Sequence, residues 1–226
     1  MGEKIYKGKA FSSSAYKGKV KARIIELRFA ASGKLVNLLK RRGDTVKKGE
    51  LVASLDKKSL QAELDKQLAD FEKVRAEFEI YNIQKGEPQD NIAKYLKSQK
   101  QAELNVSVKE VELAKAKLDQ ADIFSPVEGV VIEDSDLVPG LYITPSSNPI
   151  KIIDNKSFYF EISIEQDEIN KFLTPSPVQI RINGINKTVT GNTKPIISSI
   201  DGKFSIEVDL PDSSGLFFGL EGEASL

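Results

Sequence analysis

The hydrophobic positions change their period twice along the chain. Up to residue 56 they sit in short runs between glycines and alternate with polar residues, as half-buried strands do. From 57 to 120 they recur every three or four residues, and the only breakers are Gly86 and Pro88; that texture is helix. From 121 onward, short runs return, broken by Gly, Pro, Asn and Asp.

The helical stretch divides at its breakers. In the first half Leu60, Leu64, Leu68, Phe71, Val74, Phe78 and Tyr81 make one apolar stripe. In the second, Ile92, Leu96, Gln99, Ala102, Val106, Leu113 and Leu118 make a weaker one among Lys, Glu and Gln. Gly86 suits a helix C-terminus and Pro88 the first turn of the next helix. The spacing predicts an antiparallel hairpin of two amphipathic helices, about 26 and 30 residues long, reaching roughly 40 Å at 1.5 Å per residue. Its seams are narrow, so it is expected to project from a body, with Leu64, Phe71, Phe78 and Leu96 as the dry contact. Ile83 lies beside the loop with little local core to cover it. Tyr81, Asn82, Ile83, Gln84 and Lys85 at the tip are therefore the candidate partner-binding residues, against the plainer reading of a simple turn.

The flanks of this hairpin resemble each other. The first reads Ser32-Gly33-Lys34-Leu35-Val36, then Val46-Lys47-Lys48-Gly49, then Leu55-Asp56. The second reads Glu128-Gly129-Val130-Val131-Ile132, then Leu137-Val138-Pro139-Gly140, then Ile153-Asp154. Each copy is a strand–turn–strand unit with glycines where the backbone turns tightly. Neither has enough apolar surface for a core of its own, and face to face the two would close a small β-sandwich. Beyond them, Phe158, Phe160, Ile162 and Ile164 alternate with polar neighbours, as do Phe204, Ile206, Val208 and Leu210. Asn183-Gly184 and Asp201-Gly202 are hairpin-turn dipeptides, and Asp167–Phe172 has room for one helical turn. Short strands at this spacing predict a small antiparallel β-barrel.

The paired half-motifs, Gly43-Asp44-Thr45-Val46-Lys47-Lys48-Gly49-Glu50-Leu51 and Ser125-Pro126-Val127-Glu128-Gly129-Val130-Val131, resemble the two halves of a lipoyl/biotinyl-type domain. A helical hairpin stands where a carrier would have its lysine-bearing turn. A split lipoyl domain with such an insertion, followed by a barrel, resembles the membrane fusion proteins (HlyD-like), the periplasmic adaptor subunits of bacterial efflux and secretion systems. The resemblance implies an α+β fold in four parts: an N-terminal strand region over 1–28, a split lipoyl-like domain over 29–56 plus 121–154, the hairpin over 57–120, and a β-barrel over 155–226. It also implies an adaptor that is not an enzyme and carries no cofactor. Its partners would be an inner-membrane transporter of ABC or RND type, an outer-membrane channel or the cell wall, and further copies of itself in a ring. The location implied is the cell envelope, periplasmic or extracytoplasmic. The hairpin tip departs from the family: it lacks the Arg/Leu/Ser pattern of adaptors that dock on outer-membrane channels. Arg75 is the only hairpin arginine, with Glu79 four residues on.

Composition removes much other chemistry. The 226 residues include no His, Cys or Trp, which excludes Cys/His zinc sites, His-based triads and dyads, and disulfides. No run of about 18 apolar residues spans a membrane, and Met1-Gly2-Glu3-Lys4 leads into polar sequence without a signal peptide. A membrane anchor is accordingly expected to be absent from this chain. The net charge is zero, yet residues 1–56 carry 14 basic and 5 acidic groups, 57–120 carry 12 and 12, and 121–226 carry 7 and 16. Parts of opposite sign can pack together or join neighbouring copies head to tail. The basic stretch has no aromatic platform, so nucleic acid is not an expected partner. Lys57 and Lys58 stand where a carrier's modified lysine would fall; the plainer reading is that they open the first helix as solvated residues. Glu133-Asp134-Ser135-Asp136 has oxygens suited to a hard cation, although a solvated turn accounts for the same residues, and no metal site is expected. A pump-free coiled-coil scaffold is the remaining alternative function.

Overall fold

The computed structural model describes residues 15–185, 187–200, 203–210 and 215–226. The chain begins with β1 (Tyr16–Lys21) and β2 (Ile24–Leu27), followed by β3 (Gly33–Leu38), β4 (Thr45–Val46) and β5 (Leu51–Leu55). Two long helices come next, α1 (Lys58–Lys85) and α2 (Asn91–Asp119). Then follow β6 (Asp122–Phe124), β7 (Gly129–Glu133), β8 (Tyr142–Ile143) and β9 (Ile150–Asp154). The last strands are β10 (Tyr159–Ile164), β11 (Pro177–Ile182), β12 (Lys187–Ile200), β13 (Lys203–Asp209) and β14 (Glu221–Ser225), with a 3₁₀ turn at Gln166–Phe172. Two compact units result. One gathers the described residues up to Ile25, Glu128–Val130 and Ile153–Leu226; the other holds Glu26–Val127 and Val131–Ile152.

In the first unit, six strands close an antiparallel barrel in the order β1-β10-β13-β12-β11-β14. Strand alternation sends Val20, Phe160, Ile162, Val178, Ile180, Ile182, Ile206, Val208 and Ala224 inward, where all are buried. The barrel is closely packed around the Phe160 ring. A Cβ at Gly18 would strike that ring and the Glu161 carbonyl, and one at Gly222 would meet the Arg181 carbonyl at 2.6 Å. Two glycines thus make room for one aromatic side chain. The 3₁₀ turn adds the buried Phe172, whose ring meets Tyr16 edge-on at 5.2 Å. The turn was expected at this place in the sequence, and Asn183-Gly184 is a turn as expected, with Gly184 at φ 84°. Asp201-Gly202 lies outside the described residues, as does 1–14 of the N-terminal strand region.

The sandwich differs from its expected assembly in one respect. The two sequence repeats do not form one sheet each and stack; they interleave. One sheet runs β6-β5-β3-β8 and the other β2-β9-β7-β4, so each contains strands from both sides of the hairpin. Backbone hydrogen bonds knit the halves: Leu35 N–H donates to the Leu141 carbonyl, Gly140 N–H to Leu35, Gly43 N–H to Val131, and Val131 N–H to Asp44. The reason is edge satisfaction: strands of two to six residues leave rows of unpaired N–H and C=O groups that only the other half can cover. The repeat itself is visible in the backbone, for Gly49 and Gly140 both turn with positive φ, at 78° and 101°. Leu35, Val46, Val52, Leu55, Ile123, Val131, Ile143, Ile150 and Ile152 fill the core between the sheets.

α1 and α2 pack against each other as an antiparallel pair. Gly86 caps α1, its N–H bonding the Asn82 carbonyl at 2.9 Å. Pro88 does not open α2 as expected. Asp90 takes the N-cap instead, its carboxylate accepting the Ala93 N–H at 2.7 Å, and Pro88 lies in the turn before it.

Candidate functional site

The α1 half of the seam lies as expected: Leu60, Leu64, Phe71, Val74, Phe78 and Tyr81 are all partly covered. The α2 half does not. Ile92, Leu96, Gln99, Ala102, Val106 and Leu113, and with them Leu96 of the expected dry contact, face solvent; only Leu118 of that stripe is partly covered. The covered face carries Ala93, Lys97, Lys100, Leu104, Ser107, Val111, Ala114 and Leu118. Small side chains and lysine stems here meet the large residues of α1, and long stems can cover apolar surface while the ammonium stays wet. Lys100 is such a case: its ammonium bonds Glu103 at 2.7 Å, which raises the lysine pKa and lowers that of Glu103. Leu68, expected in the α1 stripe, is also exposed.

At the base of the hairpin, Lys57 is not a free solvated residue. Its ammonium reaches Asp122 at 2.6 Å, tying the start of α1 to β6. Lys117 and Glu63 make a second tie, between the two helices, at 2.8 Å. Lys58 is exposed at the helix start. A lysine held by an ion pair at the head of a long helix lacks the free turn on which a carrier arm swings.

The five tip residues differ in how far they are covered. Tyr81 and Asn82 turn partly into the seam, and the Asn82 Oδ1 atom is buried without a hydrogen-bond partner. Ile83, Gln84 and Lys85 face solvent, Ile83 at 83% exposure. Residues that sequence reasoning assigned to the seam join it at the tip: Ile92 at 73% and Leu96, with Tyr95 at 77% and Ile80 beside them. The signal that could have found them is the second apolar row on α2, which periodicity alone cannot distinguish from the covered one.

Glu133-Asp134-Ser135-Asp136 forms a tight turn in which Ser135 and Asp136 both have positive φ, 54° and 51°. Ser135 Oγ donates to the Pro149 carbonyl at 2.6 Å, and Glu133 is held by Lys151 at 2.8 Å. Among the described residues no group of three or more acidic side chains is arranged to hold a metal ion. No helix among them is long and apolar enough to cross a membrane.

Comparison with known proteins agrees with this geometry. The family model described as RND MFP, barrel-sandwich hybrid domain, matches residues 23–155. A curated relative, the uncharacterised protein YdhJ of Escherichia coli K12, is 26% identical over 210 residues, which span 86% of this chain and 73% of YdhJ. The membrane fusion protein Spr0693 of Streptococcus pneumoniae R6 superposes with a TM-score of 0.75 at 18% identity, over 94% of this chain and 98% of that one. A MacA-MexA chimera carrying the Pseudomonas aeruginosa MexA α-hairpin gives 0.76 at 20% identity, over 96% and 82%. The two superpositions extend over nearly the whole chain, and they show that its fold is one these structures share. The chain belongs to the membrane fusion protein family, whose members are non-enzymatic adaptors of efflux systems, and its barrel-sandwich hybrid domain is of the RND type.

Proposed function

We propose that this chain is the extracytoplasmic adaptor of an export system, joining an inner-membrane transporter to a distal component of the cell envelope. The match to an RND-type family model favours an RND transporter over an ABC one. Copies would gather as a ring, with their sandwiches and barrels side by side and their hairpins forming the walls of a duct. The observation that carries this reading is the hairpin itself: two long helices, 28 and 29 residues, tied at the base by Lys57–Asp122 and with large apolar side chains exposed along their length. A rod of this kind stabilises little within its own chain and suits contact with other proteins. The tip, with Ile80, Ile83, Ile92, Tyr95 and Leu96 exposed, supplies the distal contact together with Gln84 and Lys85.

The test is a pull-down of the native, membrane-anchored protein from envelope membranes, with identification of what co-purifies. Recovery of an RND transporter supports the reading; an ABC transporter revises its class; recovery of no transporter from intact envelopes overturns it. A paired Ile83→Lys, Tyr95→Lys variant should keep the transporter and lose the distal component.

A further inference from the structure

Each helix of the hairpin carries a second row of residues, spaced by alternating three and four, on a side that its partner leaves open. On α1 the row is Ala62, Asp65, Ala69, Glu72, Ala76, Glu79 and Ile83; every member is exposed. On α2 it is Ile92, Tyr95, Gln99, Ala102, Val106, Lys109, Leu113 and Ala116, also all exposed. This is the spacing of a coiled-coil seam, and in both helices it is offset from the covered seam by one to two residues. In an antiparallel pair, an offset forward on one helix and backward on the other places the rows on opposite flanks.

The two rows differ in kind. The α1 row alternates alanine with carboxylates, and the α2 row has large apolar side chains with a lysine among them. The Lys117–Glu63 tie and the turn after Lys85 fix which stretches lie level. Leu113 lies level with the stretch between Ala62 and Ala69, and Val106 with that between Ala69 and Ala76. Lys109 lies level with the stretch between Asp65 and Glu72, and Tyr95 with Ile83. In a closed ring of identical copies, neighbours stand at equal height, because any rise per copy would open it into a helix. Equal height sets Leu113 and Val106 of one copy against the hollows between alanines of the next, and sets Lys109 against two carboxylates. Among the described residues Lys109 pairs with Glu112 of its own helix, at 2.6 Å with both side chains largely exposed, a contact worth little and easily exchanged.

We propose that the exposed α2 row below the tip, from Gln99 to Ala116, is the docking surface for the Ala62 to Glu79 part of the α1 row of a second copy of this chain, with Leu113 and Val106 as knobs and Lys109–Asp65/Glu72 as the ionic register. The proposal rests on the ring reading above and adds to it the faces and the register.

The chain has no cysteine, so Asp65→Cys with Leu113→Cys introduces a single kind of thiol pair. The two positions lie on opposite flanks of one hairpin, so a disulfide, which needs Cα atoms within about 7 Å, joins copies. The expected result is a ladder of covalent multimers of the full chain on non-reducing gels, with assembly followed by sedimentation. Assembly in sedimentation without the covalent ladder overturns these faces and leaves the ring standing. A monomer at every concentration up to the millimolar range overturns both. Independently, Lys109→Glu should weaken self-association by about tenfold, and adding Asp65→Lys and Glu72→Lys should restore it. Weakening without restoration overturns the ionic register.

Discussion

In the barrel, Phe160, Ile162, Ile180, Ile182, Ile206 and Ala224 are wholly withdrawn from solvent. In the hairpin, α1 has no fully buried residue, and α2 has only Ser107 and Ala114. The barrel closes its sheet, so every strand is paired and every inward side chain meets others across a small interior. A two-helix rod has one seam and leaves most of each cylinder to water. The barrel is therefore fixed by its own chain, whereas the hairpin leaves Val106, Leu113, Ile92 and Tyr95 without intrachain cover. That contrast separates the part of the molecule that sets stability from the part that is free to carry partners.

The contrast breaks most severely at Phe160. Phe160→Ala removes a buried ring for which Gly18 and Gly222 make room, and the backbone around two glycines cannot collapse inward to fill the void. The expected loss is about 3–5 kcal/mol, read as a drop in the denaturant midpoint with an unchanged slope. A loss below about 1 kcal/mol would mean that the barrel interior is not tightly packed. Phe71→Ala in the hairpin deletes a ring that is only partly covered, so about 1–2 kcal/mol is expected. It should appear as faster amide exchange confined to α1 and α2, with barrel amides unchanged. Uniform acceleration across the barrel would show that the hairpin does not open by itself. At the tip, Asp90→Ala removes the N-cap of α2 and should cost about 1 kcal/mol, seen as fraying of residues 91–94 in exchange or NMR.

How far these differences could be read beforehand depends on what each pattern encodes. The inward row Phe160, Ile162, Ile164 and the row Ile206, Val208, Leu210 were plain, because strand alternation has one period and one buried face. The α1 seam was plainer: Leu64, Phe71 and Phe78 recur at helical spacing on one face, and of the expected stripe only Leu68 is exposed. The α2 seam was not. Its covered positions mix Ala93, Lys97, Lys100, Ser107 and Ala114 with Leu104, Val111 and Leu118, while the equally hydrophobic Ile92, Val106 and Leu113 face solvent. Periodicity alone does not distinguish two such rows. The interleaving of the sandwich was hidden too, since which half lends an edge to which is decided by backbone hydrogen bonds that any residue can make. For the tip, exposure of Ile83 was legible from its place beside a loop, but its neighbours Tyr95 and Ile92 lie across the turn in space.

A smaller effect belongs to the latch beside the barrel's 3₁₀ turn. Glu168 accepts from Lys171 at 3.0 Å and from the Tyr16 hydroxyl at 3.0 Å. The lysine, then the tyrosine, hold its carboxyl below the usual glutamate range. A carboxylate with a depressed folded pKa adds stability that is fully present above its unfolded value. That stability is lost as the pH falls through the folded one. The wild-type protein should therefore be more stable than Glu168→Gln at neutral pH, and this margin should shrink only as the pH falls through the acid range. Denaturant melts of both proteins across that range decide it; parallel curves would remove the latch from the account.

The smallest effect is the most discriminating for the comparison itself. Leu113 and Val106 are large, apolar and exposed, so their replacement costs the single chain almost nothing. Leu113→Ser combined with Val106→Ser should change unfolding stability by no more than about 0.5 kcal/mol, because neither side chain leaves water when the hairpin folds. Small residues of the same kind in the covered seam behave differently: Ala114→Ser or Ser107→Leu must fit beneath α1, and overpacking there costs about 1–3 kcal/mol. Thermal melts of dilute protein, where copies are apart, measure both. If the exposed pair destabilises as much as the covered pair, α2 rotates within the hairpin and the two rows are not distinct surfaces. If it is neutral when dilute but lowers the melting temperature as concentration rises relative to wild type, the lost contact lies between chains, as mass action requires.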